Sequence, residues 1–142
     1  MLKNILKNVQ RPDLDFASLK KPRKPNSYLM CPPDYCLYPG KDISPEFEML
    51  AQDLARAFEK MALAQDRTEK LSEIDKQGEV QMDFVQFSAL IGYPDTITVR
   101  FIDLPDGKSS LAIFSRAHYG YRDFNVNENR IKTWVAKLQS SL

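Results

Sequence analysis

Cysteine and histidine are scarce in this sequence of 142 residues, which contains two cysteines and one histidine. A structural zinc site usually takes four Cys or His ligands, so these three residues cannot complete one without carboxylates. The sequence also lacks a glycine-rich phosphate loop and a His-Glu-x-x-His pair, which are the signals of P-loop proteins and zinc peptidases. We therefore expect neither a bound metal nor a cofactor.

Long apolar runs are absent as well. No stretch approaches the roughly 18 apolar residues of a transmembrane helix. The first ten residues, MLKNILKNVQ, lack the continuous apolar segment of a signal peptide. Two expectations stay open at this point: the protein is cytoplasmic, or an export segment has been removed from this sequence.

Charge of one sign is not in excess, because the formal net charge is +1. This value excludes a strong overall basic field, and basic and aromatic residues are not interleaved as in RNA-reading sheets, so nucleic acid is not an expected partner. The charge is nevertheless uneven, since residues 1–25 hold seven Lys or Arg and two Asp, a local net of +5. Such a basic arm either contacts an anionic membrane surface or is simply solvated.

The two cysteines, Cys31 and Cys36, lie in the sequence Cys-Pro-Pro-Asp-Tyr-Cys. This spacing permits a small disulfide-closed loop, whose contribution to stability should be modest because a short loop holds little chain entropy. The alternative is a pair of reduced, partly buried thiols, and the redox state of the compartment decides between them. If the bridge forms, the two Cα atoms should lie about 4.4–6.8 Å apart.

The chain divides into a predicted extended basic arm, residues 1–24, and a single α+β domain, residues 25–142. Prolines interrupt any regular element in the arm. The first predicted helix covers residues 45–64, because Ser44 and Pro45 form a start signal. Behind that signal, apolar residues recur at helical spacing.

A second predicted helix closes the chain and begins within residues 125–128. Asn125 and Glu128 resemble a capping box, in which two side chains satisfy free N–H groups at a helix start. An apolar stripe then follows at helical spacing, formed by Ile131, Trp134, Val135 and Leu138. The two helices are predicted to pack on one face of a sheet.

Four predicted strands lie between the helices and are separated by short turns. They cover residues 68–75, a segment from Val80 to Ile91 that shifts phase, residues 96–101 and residues 111–115. Short turns favour an antiparallel four-stranded meander, and the fold class is thus a two-layer α+β arrangement with an N-terminal and a C-terminal helix. The predicted core joins strand residues Ile97, Val99, Phe101, Leu111 and Ile113 to Phe47, Leu54, Phe58, Trp134 and Leu138.

A polar and aromatic segment, residues 115–127, connects the last strand to the C-terminal helix. It holds two Arg, the only His, two Tyr, an Asp and two Asn, where a plain loop would usually hold Gly, Ser and Pro. Free N–H groups at a helix start attract anions, and arginine clamps carboxylates or phosphates. The candidate ligand-binding residues are Arg116, His118, Tyr121, Asp123, Asn127 and Arg130.

Arg116 and Asp123 allow two interpretations. One is an internal ion pair that fixes the turn, and the other is an anion site in which Arg116 faces the helix start. Both predict that the turn brings the two charges together. Ser115, His118 and Asp123 also supply the residue types of a hydrolase triad, but they come from one short stretch without a nucleophile elbow, so no catalytic residue is assigned.

Several short motifs occur in a recognisable order. They are Pro25-Asn26-Ser27, Ser115-Arg116, Gly120-Tyr121-x-Asp123-Phe124-x-Val126-Asn127 and Arg130-Ile131. Over residues 24–138 the chain resembles DUF1499, an uncharacterised bacterial and plastid family of unknown function. The resemblance implies no established activity. It does imply a cell-envelope or periplasmic location, because many relatives carry an export or membrane segment in front.

The sequence therefore favours a non-enzymatic binding or scaffold domain, which the resemblance associates with the cell envelope. Its candidate anionic-ligand site lies at the strand-to-helix turn, and the expected partner is an anionic small molecule or a lipid. The alternative is a small enzyme that acts on an anionic substrate through Arg116, His118 and Asp123. The oligomeric state is not predicted.

Overall fold

Six strands and two helices make up the computed structural model, which describes residues 14–142. The part of the predicted arm that precedes residue 14 lies outside the described residues. The strands are β1 (Ser27–Cys31), β2 (Asp42–Ile43), β3 (Thr68–Lys76), β4 (Glu79–Phe87), β5 (Pro94–Asp103) and β6 (Ser109–Ala117). The helices are α1 (Ala51–Leu63), which lies between β2 and β3, and α2 (Val126–Ser140), which follows β6.

The strands form one sheet in the order β2-β1-β6-β5-β4-β3. Strands β3 to β6 pair antiparallel with their sequence neighbours, as predicted for a meander. The α+β class is confirmed, but the expectation of four antiparallel strands is wrong. Strand β1 pairs antiparallel with β6, and β2 pairs parallel with β1, so the sheet has six strands and is mixed. Strand β1 was missed because it is short and buried on both faces, which removes the alternation that marks a half-buried strand.

Helix α1 begins six residues later than its start signal predicts. Phe47, inside the predicted helix, instead forms a bridge with Ser109, with N···O distances of 2.7 and 2.9 Å in the two directions. The first helical N–H, that of Ala51, donates to Asp103 Oδ1 at 2.9 Å. A carboxylate from β5 therefore satisfies the helix start, which the sequence assigns to Ser44.

Strand β4 ends at Phe87, so the predicted continuation to Ile91 is wrong. The Ser88 hydroxyl accepts the N–H groups of Gly92 and Tyr93, both at 3.0 Å, and these bonds close a loop over residues 88–93. The phase shift predicted for this strand is the start of that loop. The irregular register of the meander lies instead in β3, between Lys70 and Ser72.

The main core lies between the two helices and one face of the sheet. All ten residues predicted for it are buried in a single cluster, which confirms this part of the prediction. Phe58 of α1 is central, because its ring lies 5.5 Å from that of Phe101 and 6.0 Å from that of Trp134, centroid to centroid. Aromatic pairs of this kind add about 0.5–1.5 kcal/mol beyond the area that they bury.

The opposite face of the sheet carries a smaller apolar cluster. Phe16 is fully buried there, in a group that includes Leu29 and Phe114. The loop after β1 contributes to the same cluster and is closed by a disulfide between Cys31 and Cys36, whose Cα atoms lie 6.3 Å apart. The division of the chain at residue 24 stays a prediction.

Candidate functional site

Asp123 fixes the turn between β6 and α2. Its Oδ1 accepts the N–H of Asn125 at 3.1 Å, and its Oδ2 accepts the backbone N–H of Asn127 at 3.1 Å. The predicted capping box is wrong, because Asn125 has left-handed backbone and its side chain makes no capping bond to any described residue. The Asp123 carboxylate thus occupies the place at the helix start where an external anion was expected.

Asn127 is the centre of a buried hydrogen-bond network. Its Oδ1 accepts from Ser115 Oγ at 2.5 Å and from Arg130 Nη1 at 2.6 Å. Its Nδ2 donates to the Asn26 carbonyl at 3.1 Å and to Asp123 Oδ2 at 2.6 Å. The Asn26 side chain in turn donates to the carbonyl of Gly120 at 3.0 Å.

Arg130 extends this network to two further strands. Its Nε donates to Gln86 Oε1 at 2.6 Å, its Nη1 donates to Ser115 Oγ at 3.0 Å, and its Nη2 pairs with Asp95 Oδ2 at 2.9 Å. Burial raises the pKa of the Asp95 carboxyl, while the Arg130 guanidinium acts in the opposite direction. We call these connected residues the Asn127 network: Asn26, Gln86, Asp95, Ser115, Asp123, Asn127 and Arg130.

Four members of the network, Asn26, Gln86, Asp95 and Ser115, are not among the predicted ligand-binding residues. Asn26 and Ser115 belong to the motifs of the family resemblance, whereas Gln86 and Asp95 belong to none of them. These last two residues lie on β4 and β5, far in sequence from the polar segment. Asp95 had a usable signal, because the alternation of Ile97 and Val99 places it on the helix-facing side of its strand. A carboxylate on that side needs a cationic partner, and Arg130 supplies it.

Arg116 and His118 lie on the other face of the sheet. Arg116 Nη1 donates to Thr98 Oγ1 at 2.9 Å, and His118 Nε2 lies 2.6 Å from Thr96 Oγ1. The prediction of an ion pair between Arg116 and Asp123 is therefore wrong, because the described residues form no such pair. Since successive strand residues point to opposite faces, Ser115 faces the helices and Arg116 does not. The residue types of a hydrolase triad are not brought together either, since Ser115 and His118 lie on opposite faces of the sheet. No bond among the described residues links Arg116 or His118 of the enzyme alternative to Asp123.

A pocket of about 420 Å³ lies between residues 21–25 and the β6–α2 turn, and we call it the arm pocket after the predicted basic arm. Its cationic lining residues are Lys21, Arg23, Lys24 and Lys41. Within residues 14–142, none of these four has an ion-pair partner. Tyr38, Tyr121 and Asp123 also line the pocket, so two of the predicted ligand residues, Tyr121 and Asp123, reach it directly.

The two carboxylates of the arm pocket already have partners. Asp123 is held by the N-terminus of α2, and Glu128 Oε2 pairs with Lys132 Nζ at 2.6 Å. The four cations of the lining outnumber its two carboxylates, so the lining carries a formal charge of 4 − 2 = +2. An electrostatic field of this sign favours the entry of an anion.

Gly40 shapes one wall of the arm pocket. Its φ is +77°, and a Cβ on this residue would lie 2.3 Å from the carbonyl oxygen of Leu29. Only glycine combines this backbone conformation with so close an approach to the neighbouring strand. The position of the loop that carries Lys41 thus depends on it.

A second pocket, of about 520 Å³, lies on the other side of the β6–α2 turn. Arg130, Asp95 and Trp134 are among its lining residues. The rings of Tyr93 and Tyr119 stack at its edge, with centroids 5.4 Å apart. We call this the tyrosine pocket.

Two kinds of site are not found in the described part of the chain. Among residues 14–142, no cluster of three or more His, Cys, Asp or Glu is arranged to hold a metal ion. Over the same residues, no helix combines the length and apolar character needed to cross a bilayer.

The comparisons with known proteins give one match. The sequence model of a family described as "protein of unknown function (DUF1499)" matches residues 17–138. No curated protein and no solved structure matches the chain. The matched range contains all the described members of both the Asn127 network and the arm pocket.

Proposed function

Since the chain belongs to DUF1499, a family of unknown function, we propose that it is a non-enzymatic binding domain that holds an anionic ligand in the arm pocket. The observation that carries the proposal is the set of four cations that line this pocket without ion-pair partners among the described residues. Cations that lack ion-pair partners and lie near one another repel each other, and a bound anion reduces this repulsion.

The chemistry of the lining suits a phosphate or a carboxylate. Arg23 offers a planar fork of N–H donors, which binds such groups through two bonds at once. The lysines add point charges, and the Tyr38 and Tyr121 hydroxyls add neutral donors at the same opening. A small anionic molecule and the headgroup of an anionic lipid both carry this chemistry.

The Asn127 network supports the pocket from behind rather than binding the ligand. Asp123, a member of the network, also lines the arm pocket and fixes the turn on which Tyr121 stands. We therefore assign Asn127 and Arg130 as positioning residues. Arg116 and His118 have no role in this proposal, because neither is among the described residues that line the arm pocket.

Contact of the basic arm with a membrane surface belongs to the same proposal. Lys21, Arg23 and Lys24 come from the arm, and a bilayer that contains anionic lipid attracts such residues by about 1 kcal/mol each. The test must therefore separate a free anion from a headgroup.

The experiment measures binding of inorganic phosphate by calorimetry and binding of vesicles by sedimentation. The vesicles contain either phosphatidylcholine alone or a mixture with phosphatidylglycerol. The test variant is Lys24→Gln with Lys41→Gln, and the control is Lys60→Gln with Lys108→Gln, which removes the same charge outside both pockets. Loss of two charge-assisted bonds should weaken binding by about tenfold or more in the test variant alone.

The pattern of results identifies the source of the anion. Phosphate binding that the test variant loses indicates a free anion, whereas binding only to the anionic vesicles indicates a headgroup. If the wild type binds neither, or if both variants lose binding equally, the arm pocket is not an anion site.

A further inference from the structure

Large apolar side chains are exposed on two neighbouring loops, residues 88–93 and 118–125. The Leu90 side chain is 97% exposed and that of Phe124 is 84% exposed. Tyr93 and Tyr119, one from each loop, are about half as exposed, at 45% and 44%. Their stacked rings join the two loops into a single surface, which we call the apolar tip.

Hydrogen bonds fix the backbone of both loops of the apolar tip. The Ser88 hydroxyl closes the first loop through two N–H groups, and Asp123 holds the second against the start of α2. Leu90 and Phe124 are therefore presented outward by hydrogen-bonded turns. Isolated exposed apolar residues need no explanation. Here, however, two strongly exposed apolar side chains come from the same two loops as a stacked pair of tyrosines.

Phe124 provides a second, independent observation. Its φ is +51°, in the left-handed region that Gly and Asn adopt with little strain and that a bulky aromatic residue avoids. Its exposed ring gives the folded chain little packing in return. A residue that strains its backbone without filling the core is best explained by a contact that its side chain makes outside the molecule.

Cations flank the apolar tip. Arg67 and Arg122 line the adjacent tyrosine pocket, and neither has an ion-pair partner in the described part of the chain. Arg67 Nε donates to the Phe87 carbonyl at 2.9 Å, and the Arg122 guanidinium lies over the Tyr121 ring at 5.8 Å. The turn that carries Arg122 also forms part of the arm pocket, so the basic residues of the two pockets lie on either side of one loop.

We infer that the apolar tip inserts into the interfacial region of an anionic lipid bilayer. Leu90 and Phe124 enter the boundary of the acyl chains, while Tyr93 and Tyr119 lie at the level of the headgroups. The graded exposure of these residues fits that order, since tyrosine prefers the interface and arginine remains with the phosphates. The acyl-chain region of a bilayer is fluid, so it can take up apolar side chains that project separately from the protein. The flanking cations complement the anionic headgroups of the same bilayer.

This inference does not require the arm pocket to bind a ligand, but it explains how the pocket would meet a headgroup. The test uses the full chain and the two vesicle compositions of the previous experiment. The tip variant is Leu90→Gln with Phe124→Asn. The control is Leu37→Gln with Ile43→Gln, two exposed apolar residues outside the loops, at 63% and 70% exposure. Thermal unfolding should be unimpaired in the tip variant, because asparagine suits the backbone at position 124.

We expect the tip variant to bind vesicles that contain phosphatidylglycerol at least about tenfold more weakly than the wild type, while the control stays within about twofold. Depth is measured with Phe124→Trp and brominated lipids, which quench tryptophan that lies in the acyl-chain region. The added tryptophan should be quenched, whereas the wild type should show little quenching, since Trp134 is only 3% exposed.

Three results would overturn the inference. The first is a wild type that binds neither kind of vesicle. The second is a tip variant that binds like the wild type while Lys24→Gln with Lys41→Gln does not, which would leave the anion site standing and remove the insertion. The third is a concentration-dependent dimer that the tip variant loses, without vesicle binding, which would assign the surface to a second copy of the chain.

Discussion

Two adjoining regions of this molecule, the Asn127 network and the arm pocket, are both rich in charged and polar groups and share Asp123. In the network, all three guanidinium nitrogens of Arg130 bind protein partners, and so do the side-chain oxygen and nitrogen of Asn127. In the pocket, four cations face open space without ion-pair partners among residues 14–142. The comparison indicates that a dense group of polar residues can serve to hold elements of the fold together. We expect binding instead where cations lack ion-pair partners, as we propose for the arm pocket.

The largest expected effect comes from removing a charge in the network. Arg130→Met leaves the Asp95 carboxylate buried without its cation, so the free energy of unfolding should fall by about 3–5 kcal/mol. Urea denaturation measures this loss, and adding Asp95→Asn should recover part of it. Because burial already raises the pKa of Asp95, the deficit should shrink as the pH is lowered and that carboxyl takes up a proton.

The control for this prediction is Lys132→Met, which removes an exposed cation two residues further along the same helix. Its ion pairs are with Glu128 and Asp42, at the surface, so its cost should stay below about 1 kcal/mol. Equal losses in the two variants would show that Arg130 contributes no more to the free energy of unfolding than a cation at the surface.

Gly40→Ala tests the wall of the arm pocket. The added Cβ meets the Leu29 carbonyl, so we expect a loss of about 2–4 kcal/mol and weaker phosphate binding. Gly78→Ala is the control, since Gly78 also has a positive φ but its Cβ would meet nothing within 4 Å. It should cost about 1 kcal/mol for backbone strain alone. A similar loss in both variants, measured by urea denaturation, would mean that the close approach at Gly40 is unimportant.

Arg116 and Asp123 test whether the two faces of the sheet are independent. Arg116→Ala removes a hydrogen bond to Thr98, and Asp123→Ala removes a helix cap, so each should cost about 1–2 kcal/mol. A double-mutant cycle should give a coupling energy below about 0.5 kcal/mol, because the two side chains share no partner among residues 14–142. A larger coupling energy would show that the two side chains interact, as the ion pair predicted from the sequence requires.

The smallest expected effect lies far from both regions, in the surface cluster around Glu73. Arg56 and Lys70 lower the pKa of Glu73 to about 2, so its charged form favours the folded state above the ordinary pKa of a glutamate. Glu73→Gln should cost about 0.2–1 kcal/mol at neutral pH. Since this contribution is lost as the pH falls towards 2, wild type and variant should converge there, and a constant difference would exclude the linkage.

The sequence predicts the parts of the fold that follow from local periodicity. The ten core residues and the meander of β3 to β6 come from alternation and helical spacing, which burial on one face imposes. It misses β1, whose two faces are both buried. It also misplaces the start of α1, because the carboxylate that satisfies this start, Asp103, lies 52 residues away. Local signals carry no information about such distant partners.

The same limit applies to the candidate site. Residue types alone identify the segment 115–127 and three members of the Asn127 network, Asp123, Asn127 and Arg130. They do not show that Arg116 and His118 leave this segment on the opposite face, which depends on the alternation of β6 and its pairing with Thr96 and Thr98. The arm pocket could not be predicted from the sequence either, because its lining comes from the basic arm and from a turn about 100 residues later in the chain. Only the folded chain brings those charges together.

We propose that the cations without ion-pair partners among residues 14–142 bind the ligand, whereas those with partners support the fold. The direct test compares Lys24→Gln with Lys41→Gln against Arg130→Met in parallel measurements of phosphate or vesicle binding and of urea denaturation. We expect the lysine variant to lose binding by about tenfold or more and to keep its stability, whereas Arg130→Met should lose stability while its folded fraction still binds. A lysine variant that is less stable but binds normally would contradict this proposal.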